Sequence, residues 1–343
     1  MKRLFRLSCL FCAFCLFFFS SCANKSQAEI SRTDFVLGTV CSVTISSGGT
    51  EKTLDEAFTR LRQIDDTMSA NKDGTEIAAI NGAAGKKAVK VSADTFYVIT
   101  KALEYARKTN GAFDPTIGPL VKLWNIGNEG AKVPPDKNIK AALALTDYRK
   151  VELNSDALTV RLPVAGMRLD LGAIAKGYAA DEVVKILRAH RVKSAIVDLG
   201  GNIFVYGKKK DGSLWRVGIQ NPYSERGEYI GLVTGSQMTV VTSGVYERYF
   251  IENGKRYHHI LDTKTGFPED NGLLSVSIVT ESSIDADALS TSVFALGLDK
   301  GMQLVKSLKD VYAIFVDEND KVYLSPGTNK IFSITDPTFT LGE

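Results

Sequence analysis

The sequence predicts an α+β fold, mixed in its helix and strand content, with large mixed or antiparallel sheets and flanking helices. Apolar residues at helical spacing are concentrated in the first half of the chain, whereas short strands dominate from Val151 onward, with helices inserted between them. A regular alternation of strands and helices, which would predict a parallel sheet, is absent. The region 34–343 contains no internal repeat, low-complexity block or linker, so it is predicted to be a single domain.

Residues 1–21 are predicted to be a secretory signal. A basic start is followed by an apolar run over 7–19, which is too short to span a membrane, and by the small pair Ser20 and Ser21. A cysteine directly after that pair predicts a lipoprotein signal in which Cys22 becomes the lipidated first residue, although Phe19 stands where such signals usually carry Leu. The alternative is an ordinary signal peptide that is cut nearby. The polar residues 22–33 then predict a tether between the lipid and the domain.

Removal of the signal leaves a nearly neutral protein. The whole chain has 42 basic and 39 acidic residues, and the signal carries Lys2, Arg3 and Arg6 but no acidic residue. No basic run of the kind that neutralises a phosphate backbone remains. Nucleic-acid binding is therefore not expected.

The cysteines predict neither an internal disulfide nor a zinc site. Cys9, Cys12 and Cys15 leave with the signal and Cys22 carries the lipid, which leaves Cys41 alone. Stability must then come from a hydrophobic core, which a chain of this length is long enough to bury.

The first half of the domain is predicted to contain a strand and two long helices. The strand FVLGTVCSVTI begins at Phe35 and is broken by Gly-Thr, and apolar residues at helical spacing predict a helix over 51–68. A second helix is predicted from a Ser92 cap to Gly111. The segment between the two helices is predicted to be a loop with at most one helical turn. The segment from Phe113 is punctuated by Pro115 and Pro119, and 127–136 after it is predicted to be loop.

The second half is predicted to consist mainly of strands. LDLGAIAKGYAADEVVKILRAH, from Leu169, is the end of a strand that continues into an amphipathic helix. The strands that follow are SAIVDLGGNIFVYG, WRVGIQ, YIGLVTG, MTVVTSG, YERYFIE, KRYHHIL and LLSVSIVT. A helix from Ser282, a second helix GMQLVKSLK and a late strand VYAIFV complete the chain.

The helix from Ser282 carries polar residues within an apolar pattern. Ser282 and Asp285 resemble a capping box, which predicts that Asp285 caps the helix. Asp287 and Thr291 are four residues apart and therefore lie on one face, where a carboxylate and a hydroxyl can share a hard cation such as Mg²⁺. The spacing alone does not exclude the alternative, in which both side chains simply face solvent.

Two glycine-containing segments are candidates for binding an anion. Gly172 lies at the junction between strand and helix, and Lys176 follows about one turn later, so a phosphate could meet the turn and the ammonium together. A plain turn with a solvated lysine remains the alternative. DLGGN, from Asp198, allows close backbone approach to a ligand or forms a bulge. Neither a dinucleotide-binding nor a P-loop motif occurs.

The segment YHHILDTKTG supplies two neighbouring histidines. His258 and His259 alternate faces on a strand, so at most one of them points into any given site. A histidine near Asp262 is a reasonable general base, although a structural histidine fits equally well. A serine hydrolase is not supported, because no Gly-x-Ser-x-Gly elbow occurs.

Taken in order, these segments resemble the ApbE-type FAD:protein FMN transferases, also called flavin-trafficking lipoproteins. The resemblance covers about 34–335 and rests on FVLGTVCSVTI, MSANKDGTEIAAIN, GAFDPTIGPLVKLW, LDLGAIAKGYAAD, DLGGN, TSGVYERYF, HHILDTKTG and ADALSTSVFALG. It implies a T-fold-like ApbE architecture and an enzyme that cleaves the FAD pyrophosphate with Mg²⁺. FMN is then joined through a phosphoester to a threonine of a partner protein, and AMP leaves; some members mainly hydrolyse FAD to FMN and AMP.

The resemblance also implies which residues form the site. The cation would be held by Asp287, Thr291 and the backbone carbonyl of Ala173. The flavin nucleotide would be contacted by Leu37, Asn71, Phe113, Asp114, Pro115, Asp170, Lys176 and Ile260. Leu37 stands where Met is frequent, a swap of similar volume. Asn71 stands where an aromatic residue is common, which removes a stacking partner.

The chemistry predicts roles for three side chains. Asp287 holds the cation, Lys176 and the Gly172 turn neutralise developing charge, and His259 is the candidate base, with Asp262 as its orienting partner and His258 as the alternative. Three functions fit these residues, namely an FMN transferase, a Mg²⁺-dependent FAD pyrophosphatase, and a lipoprotein that stores FAD. The acceptor is expected to be a protein with an exposed threonine motif in a membrane redox complex. The protein is expected on the periplasmic side of the inner membrane, held by its lipid.

Overall fold

The computed structural model describes residues 28–342. The predicted signal 1–21, the lipidated Cys22 and most of the tether lie outside the described residues. Within 28–342, no helix combines the length and the apolar character that crossing a bilayer requires.

Seven helices occur in the described part of the chain. They are α1 (Glu51–Met68), α2 (Glu76–Gly82), α3 (Ala93–Lys108), α4 (Gly118–Trp124), α5 (Asp136–Leu143), α6 (Ala175–Ala189) and α7 (Ser283–Lys306). Short 3₁₀ turns cover Tyr148–Lys150 and Thr328–Lys330.

The strands lie mainly in the second half, as the sequence predicts. They are β1 (Ile30–Val36), β2 (Thr39–Ser47), β3 (Val89–Lys90), β4 (Glu152–Asn154), β5 (Thr159–Arg161), β6 (Ser194–Leu199), β7 (Asn202–Gly207), β8 (Trp215–Gln220), β9 (Tyr229–Gly235), β10 (Met238–Gly244), β11 (Tyr249–Glu252), β12 (Lys255–His258), β13 (Leu273–Thr280), β14 (Tyr312–Asp317), β15 (Lys321–Leu324), β16 (Phe332–Ile334) and β17 (Thr340–Leu341).

A nine-stranded sheet organises the described residues. Its order is β1-β2-β6-β7-β10-β13-β14-β15-β17, and all neighbours are antiparallel except β15 and β17. Its β1–β2 pair is a hairpin that turns at Leu37 and Gly38, both with positive φ. The predicted α+β class with large mixed or antiparallel sheets is confirmed.

The two faces of this sheet are covered differently, because side chains alternate along each strand. On one face, helices α1, α6 and α7 bury the main core, which includes Leu61, Val183, Val241 and Phe294. On the other face, the three-stranded sheet β16-β9-β8 packs through Val217, Ile230 and Val233 against strand residues such as Val240. The sheet is therefore the middle layer between helices and a second sheet.

Several predicted elements have the expected limits. Helix α1 covers 51–68 because Leu54, Phe58 and Leu61 repeat at helical spacing and are fully buried. Helix α3 begins after Ser92, whose hydroxyl accepts a hydrogen bond from the Thr95 N–H at 3.3 Å. DLGGN forms the turn between β6 and β7.

Other elements differ from the prediction. Strand β1 begins at Ile30, before the predicted start of the domain, because it pairs with β2 along its whole length. Helix α2 occupies a segment predicted to be a loop with at most one helical turn, and α4 lies in the segment punctuated by prolines. Helix α5 begins at the end of the predicted loop 127–136, and the residues directly before α6 form no strand. The helix predicted over GMQLVKSLK is part of α7, which kinks at Gly297, where φ is +74°.

Candidate active site

The predicted site residues line one cleft of about 1520 Å³ at the end of the nine-stranded sheet. They are Leu37, Asn71, Phe113, Asp114, Pro115, Asp170, Ala173, Lys176, His259, Ile260, Asp287 and Thr291. They come from segments far apart in the chain, so only folding brings them together. Their individual roles remain predictions.

The close crossing of α6 and α7 builds the centre of the cleft. At Gly177 a Cβ atom would contact the Ser283 carbonyl oxygen and would lie 2.7 Å from the Asp287 Cβ, so only glycine allows this approach. The Gly177 N–H donates to Asp287 Oδ2 at 2.9 Å. The buried Asp287 carboxylate is thereby held in one orientation with Oδ1 free of this bond.

Three oxygen groups could coordinate the predicted cation, namely the Asp287 carboxylate, the Thr291 hydroxyl and the Ala173 carbonyl. Asp287 and Thr291 lie one turn apart on α7, and Ser243 of β10 lies 3.3 Å from Thr291 Oγ1. In a regular helix the Gly177 N–H would donate to the Ala173 carbonyl, but here it donates to Asp287. The Ala173 carbonyl therefore accepts no backbone hydrogen bond within 28–342. A carboxylate, a hydroxyl and a carbonyl suit Mg²⁺, which keeps water or phosphate as its remaining ligands. The described residues contain no group of three or more His, Cys, Asp or Glu side chains placed for a metal.

Lys176 lies beside this oxygen cluster. Its Nζ is 3.5 Å from Asp287 Oδ1 and donates to the Gly172 carbonyl at 3.0 Å. The Gly172 N–H in turn donates to Asp170 Oδ1 at 2.8 Å, and this bond fixes the turn before α6. The ammonium is therefore positioned by its own loop and can meet an anion that enters the cleft.

The two histidines have different environments. Both ring nitrogens of His258 are engaged, Nε2 with the Glu269 carbonyl at 2.8 Å and Nδ1 with the Ile260 N–H at 3.3 Å. His259 lines the cleft, and its buried Nδ1 has no hydrogen-bond partner within 28–342. His258 does not line the cleft and both of its nitrogens are engaged, which favours His259 as the candidate base.

The pKa of His259 is lowered to about 3, mainly by burial and secondarily by Arg248. The ring is therefore neutral at physiological pH with an unprotonated nitrogen, and its burial makes it a weaker base than a free imidazole. Asp262 does not orient it, because its carboxylate accepts the Lys264 N–H at 2.8 Å instead. The predicted pair of His259 and Asp262 is thus not formed.

The F-D-P segment is held by its own polar groups. Asp114 Oδ1 accepts from the Thr116 N–H at 2.7 Å and hydroxyl at 2.6 Å, and Oδ2 accepts from the Tyr148 N–H. Burial raises the pKa of this carboxyl. The Pro115 carbonyl accepts the Asp170 N–H at 2.8 Å. Asp114 therefore shapes the cleft wall through internal bonds.

Leu37 and Asn71 lie at the rim of the cleft. Leu37 has a φ of +57°, a left-handed conformation that costs a non-glycine residue about 1–2 kcal/mol. Asn71 is exposed, and its N–H donates to the Ser69 hydroxyl at 3.3 Å. Both positions leave room for a larger side chain to contact a ligand in the cleft.

The predicted cap of α7 is wrong. Asp285 accepts from the Ser282 hydroxyl at 2.6 Å and from the Tyr105 hydroxyl at 2.7 Å, and the N-cap Ser282 makes no side-chain cap bond. The first N–H groups of α7 instead donate to both oxygens of Asp181 on α6, each at 2.9 Å. Burial raises the pKa of Asp181 to about 6. A carboxylate of helix α6 therefore caps α7 in place of a local residue. Residue spacing within α7 could not reveal this contact.

Several cleft residues were missed from the sequence. They are Arg168, Asp198, Tyr229, Ser243 and Arg248. Ser243 and Arg248 belong to TSGVYERYF, and Asp198 begins DLGGN, so these two segments contained the only available signal. Tyr229 comes from the second sheet, which no local pattern connects to the cleft.

Comparison with known proteins identifies close relatives. A sequence profile of the ApbE family matches residues 37–315. The chain is 40% identical over 354 aligned positions to an FAD:protein FMN transferase of Treponema pallidum (strain Nichols), covering 98% of this chain and 97% of that protein. It is 40% identical over 286 positions to an FAD:protein FMN transferase of Klebsiella pneumoniae (strain 342), covering 83% and 89% respectively.

Solved structures show the same architecture. The ApbE protein of Thermotoga maritima has a TM-score of 0.81 at 31% identity, covering 88% of this chain and 99% of that one. The flavinyl transferase ApbE of Pseudomonas stutzeri has a TM-score of 0.73 at 30% identity, covering 84% and 91%.

Proposed function

The chain belongs to the ApbE family, and we propose that it is a Mg²⁺-dependent FAD:protein FMN transferase. The proposal rests on one observation, the α6–α7 crossing that places the Asp287 carboxylate, the Thr291 hydroxyl and the Lys176 ammonium at the centre of a single cleft. The names of the relatives support the transfer of FMN from FAD to a protein.

The cation would be held by Asp287, Thr291 and the carbonyl of Ala173. When bound, Mg²⁺ supplies Lewis-acid polarisation of the pyrophosphate and neutralises its charge. Thr291 is kept in place by the Ser243 hydroxyl, and Asp287 by the Gly177 N–H. The protein therefore presents its oxygen ligands without further reorganisation.

Lys176 binds the phosphate oxygens from the other side. Among residues 28–342, its Nζ has the Gly172 carbonyl and the more distant Asp287 oxygen as its partners, so it keeps a donor for the substrate. The charge that develops as the pyrophosphate breaks is stabilised by an ammonium that is already positioned. This contribution acts on the transition state more than on the bound FAD.

His259 accepts the proton of the attacking hydroxyl. This role rests on its position, because His259 lines the cleft and its Nδ1 has no hydrogen-bond partner among residues 28–342. The threonine oxygen of the acceptor forms a bond to the FMN-side phosphorus, the P–O bond to the adenylate breaks, and AMP leaves. The product is an FMN phosphoester on the acceptor.

Hydrolysis is the second candidate function. Water in place of the acceptor threonine gives FMN and AMP through the same residues. The exposed Asn71 at the cleft rim bears on both reactions, because an aromatic side chain there would stack on the bound nucleotide and hold it in the cleft. Storage of FAD without turnover would require neither the oxygen cluster nor a neutral histidine.

The location is part of the proposal. Cys22 would carry the lipid that anchors the protein on the periplasmic side of the inner membrane, with an acceptor in a membrane redox complex. The signal pattern supports this location. Replacement of Cys22 by Ala should release the protein from the membrane fraction and abolish labelling with a lipid precursor. Unchanged membrane retention and labelling would contradict the anchor.

One experiment separates the three functions. The mature chain is incubated with FAD, Mg²⁺ and an acceptor protein carrying an exposed threonine, and AMP, free FMN and acceptor mass are measured. AMP together with a mass gain of one FMN on the acceptor demonstrates transfer. AMP with free FMN demonstrates hydrolysis, and bound FAD with neither product would leave only storage.

A further inference from the structure

The cleft extends beyond the residues predicted to bind FAD. Its wall continues to strand β8 and the start of β9 in the three-stranded sheet, next to β7 and β10 of the nine-stranded sheet. We call this part the second arm, lined by Asp198, Ile203, Val217, Gly218, Tyr229 and Val240. The cleft volume of about 1520 Å³ exceeds the roughly 300–1,000 Å³ of a usual small-molecule pocket, so a second occupant has room.

The second arm and the cation site are joined along β10. Val240 belongs to the core between the two sheets, whereas Ser243 faces α7 and lies 3.3 Å from Thr291 Oγ1. They are three positions apart on the strand, a path of about 10 Å. A few residues of extended chain can therefore connect the second arm to the reacting phosphorus.

The walls of the second arm suit an extended polypeptide. Strand β8 is the edge of its sheet among the described residues, and Val217 and Gly218 of that edge line the arm. An edge strand offers unpaired N–H and C=O groups to an added strand. Ile203 and Val240 supply an apolar wall, and the Tyr229 side chain, 45% exposed, covers Gly218.

The passage from the second arm to the cation site runs over a turn that has no side chains. The turn between β6 and β7 consists of Gly200 and Gly201, and a Cβ added at Gly201 would meet nothing within 4 Å. Asp198 holds this turn through the Gly201 N–H at 2.9 Å and uses only Oδ1 for that bond. Its other oxygen can accept an N–H from an occupant. A main chain with small side chains can therefore cross the turn.

We propose that the second arm binds the acceptor protein, as an extended segment that places an apolar side chain against Ile203 and Val240 and its threonine over the Gly200–Gly201 turn. The inference rests on the proposed transfer reaction, because the acceptor hydroxyl must reach the phosphorus while FAD occupies the rest of the cleft. Binding along β8 makes the second arm a specificity site for the acceptor and leaves FAD binding to other residues.

The test separates recognition of the acceptor from cleavage of FAD. Tyr229→Ala removes part of the wall, and Asp198→Asn removes the charge while keeping an oxygen for the Gly201 N–H. We expect each variant to lower kcat/KM for the acceptor at least tenfold, with acceptor-independent AMP release within twofold of wild type. The control is Tyr97→Ala, a tyrosine of matched exposure (46%) on α3 outside the cleft, which should change neither.

A crosslinking measurement is independent of turnover and of any loss of stability in these variants. A photoreactive phenylalanine analogue at position 229 should capture the acceptor segment, and the same group at position 97 should not. Unchanged acceptor kcat/KM in both variants, or equal capture at the two positions, would overturn the inference. If wild-type protein releases AMP but never modifies an acceptor, the proposed transfer itself fails, and the inference fails with it.

Discussion

Removal of the Asp287 carboxylate gives the sharpest test of the site. The side chain is 3% exposed, accepts the Gly177 N–H at 2.9 Å and offers its second oxygen to the cation. Asp287→Ala leaves that N–H without a partner, which costs about 1–3 kcal/mol of folding free energy. For a chain of this size, the melting temperature should fall by about 2–4 °C per kcal/mol.

The effect on catalysis should be much larger than the effect on stability. Loss of one preorganised group that stabilises the transition state costs on the order of 10²–10³ in rate, and the lost metal ligand adds to this. Asp287→Asn is the matched variant, because its amide oxygen can still accept the Gly177 N–H. We expect Asp287→Asn to retain nearly wild-type stability and to lose Mg²⁺-dependent cleavage as Asp287→Ala does.

The assay measures AMP release from FAD over a Mg²⁺ titration, beside thermal unfolding of each variant. Asp285→Asn serves as a second control, because this carboxylate bonds Ser282 and Tyr105 and does not line the cleft. It should lose stability and keep cleavage. Unimpaired Mg²⁺-dependent cleavage by Asp287→Asn or Asp287→Ala would refute the assigned cation site.

Three further predictions address other parts of the site. Gly177→Ala should destabilise the protein by at least about 1–3 kcal/mol in urea unfolding and abolish AMP release, because its Cβ would collide with α7; wild-type behaviour would contradict the close crossing. His259 has its folded pKa lowered to about 3 from 6.5, so its contribution to stability is complete above pH 6.5 and is lost as the pH falls from 6.5 to 3. His259→Gln should make the free energy of unfolding less dependent on pH over that range and should suppress transfer. An unchanged transfer rate would show that His259 is not the base. Asn71→Tyr should tighten FAD binding severalfold in a fluorescence titration and slow turnover, whereas unchanged affinity would show that position 71 does not contact FAD.

Sequence patterns predicted the helices that bury one apolar face and the caps whose hydrogen-bond partners are close in sequence. Helix α1 was predicted over its full length because its apolar residues repeat along one face. The cap at Ser92 was predicted because donor and acceptor are three residues apart. Helix α5 was missed because its short polar sequence packs mainly through the buried Ile139 and Ala142 against a cluster around Trp124. Such packing depends on residues distant in the chain.

The sequence by itself determined the α+β class, the single remaining cysteine of the domain, the resemblance to the ApbE family and the residues that could form its site. Those properties follow from residue types and from spacings within one element. Only the tertiary structure decided that His259 faces the cleft while His258 is engaged elsewhere, that Asp181 caps α7, and that the cleft continues to the face beside β8. These depend on hydrogen bonds and packing between segments as much as 103 positions apart in sequence, where the partner is fixed by three-dimensional approach and leaves no local pattern.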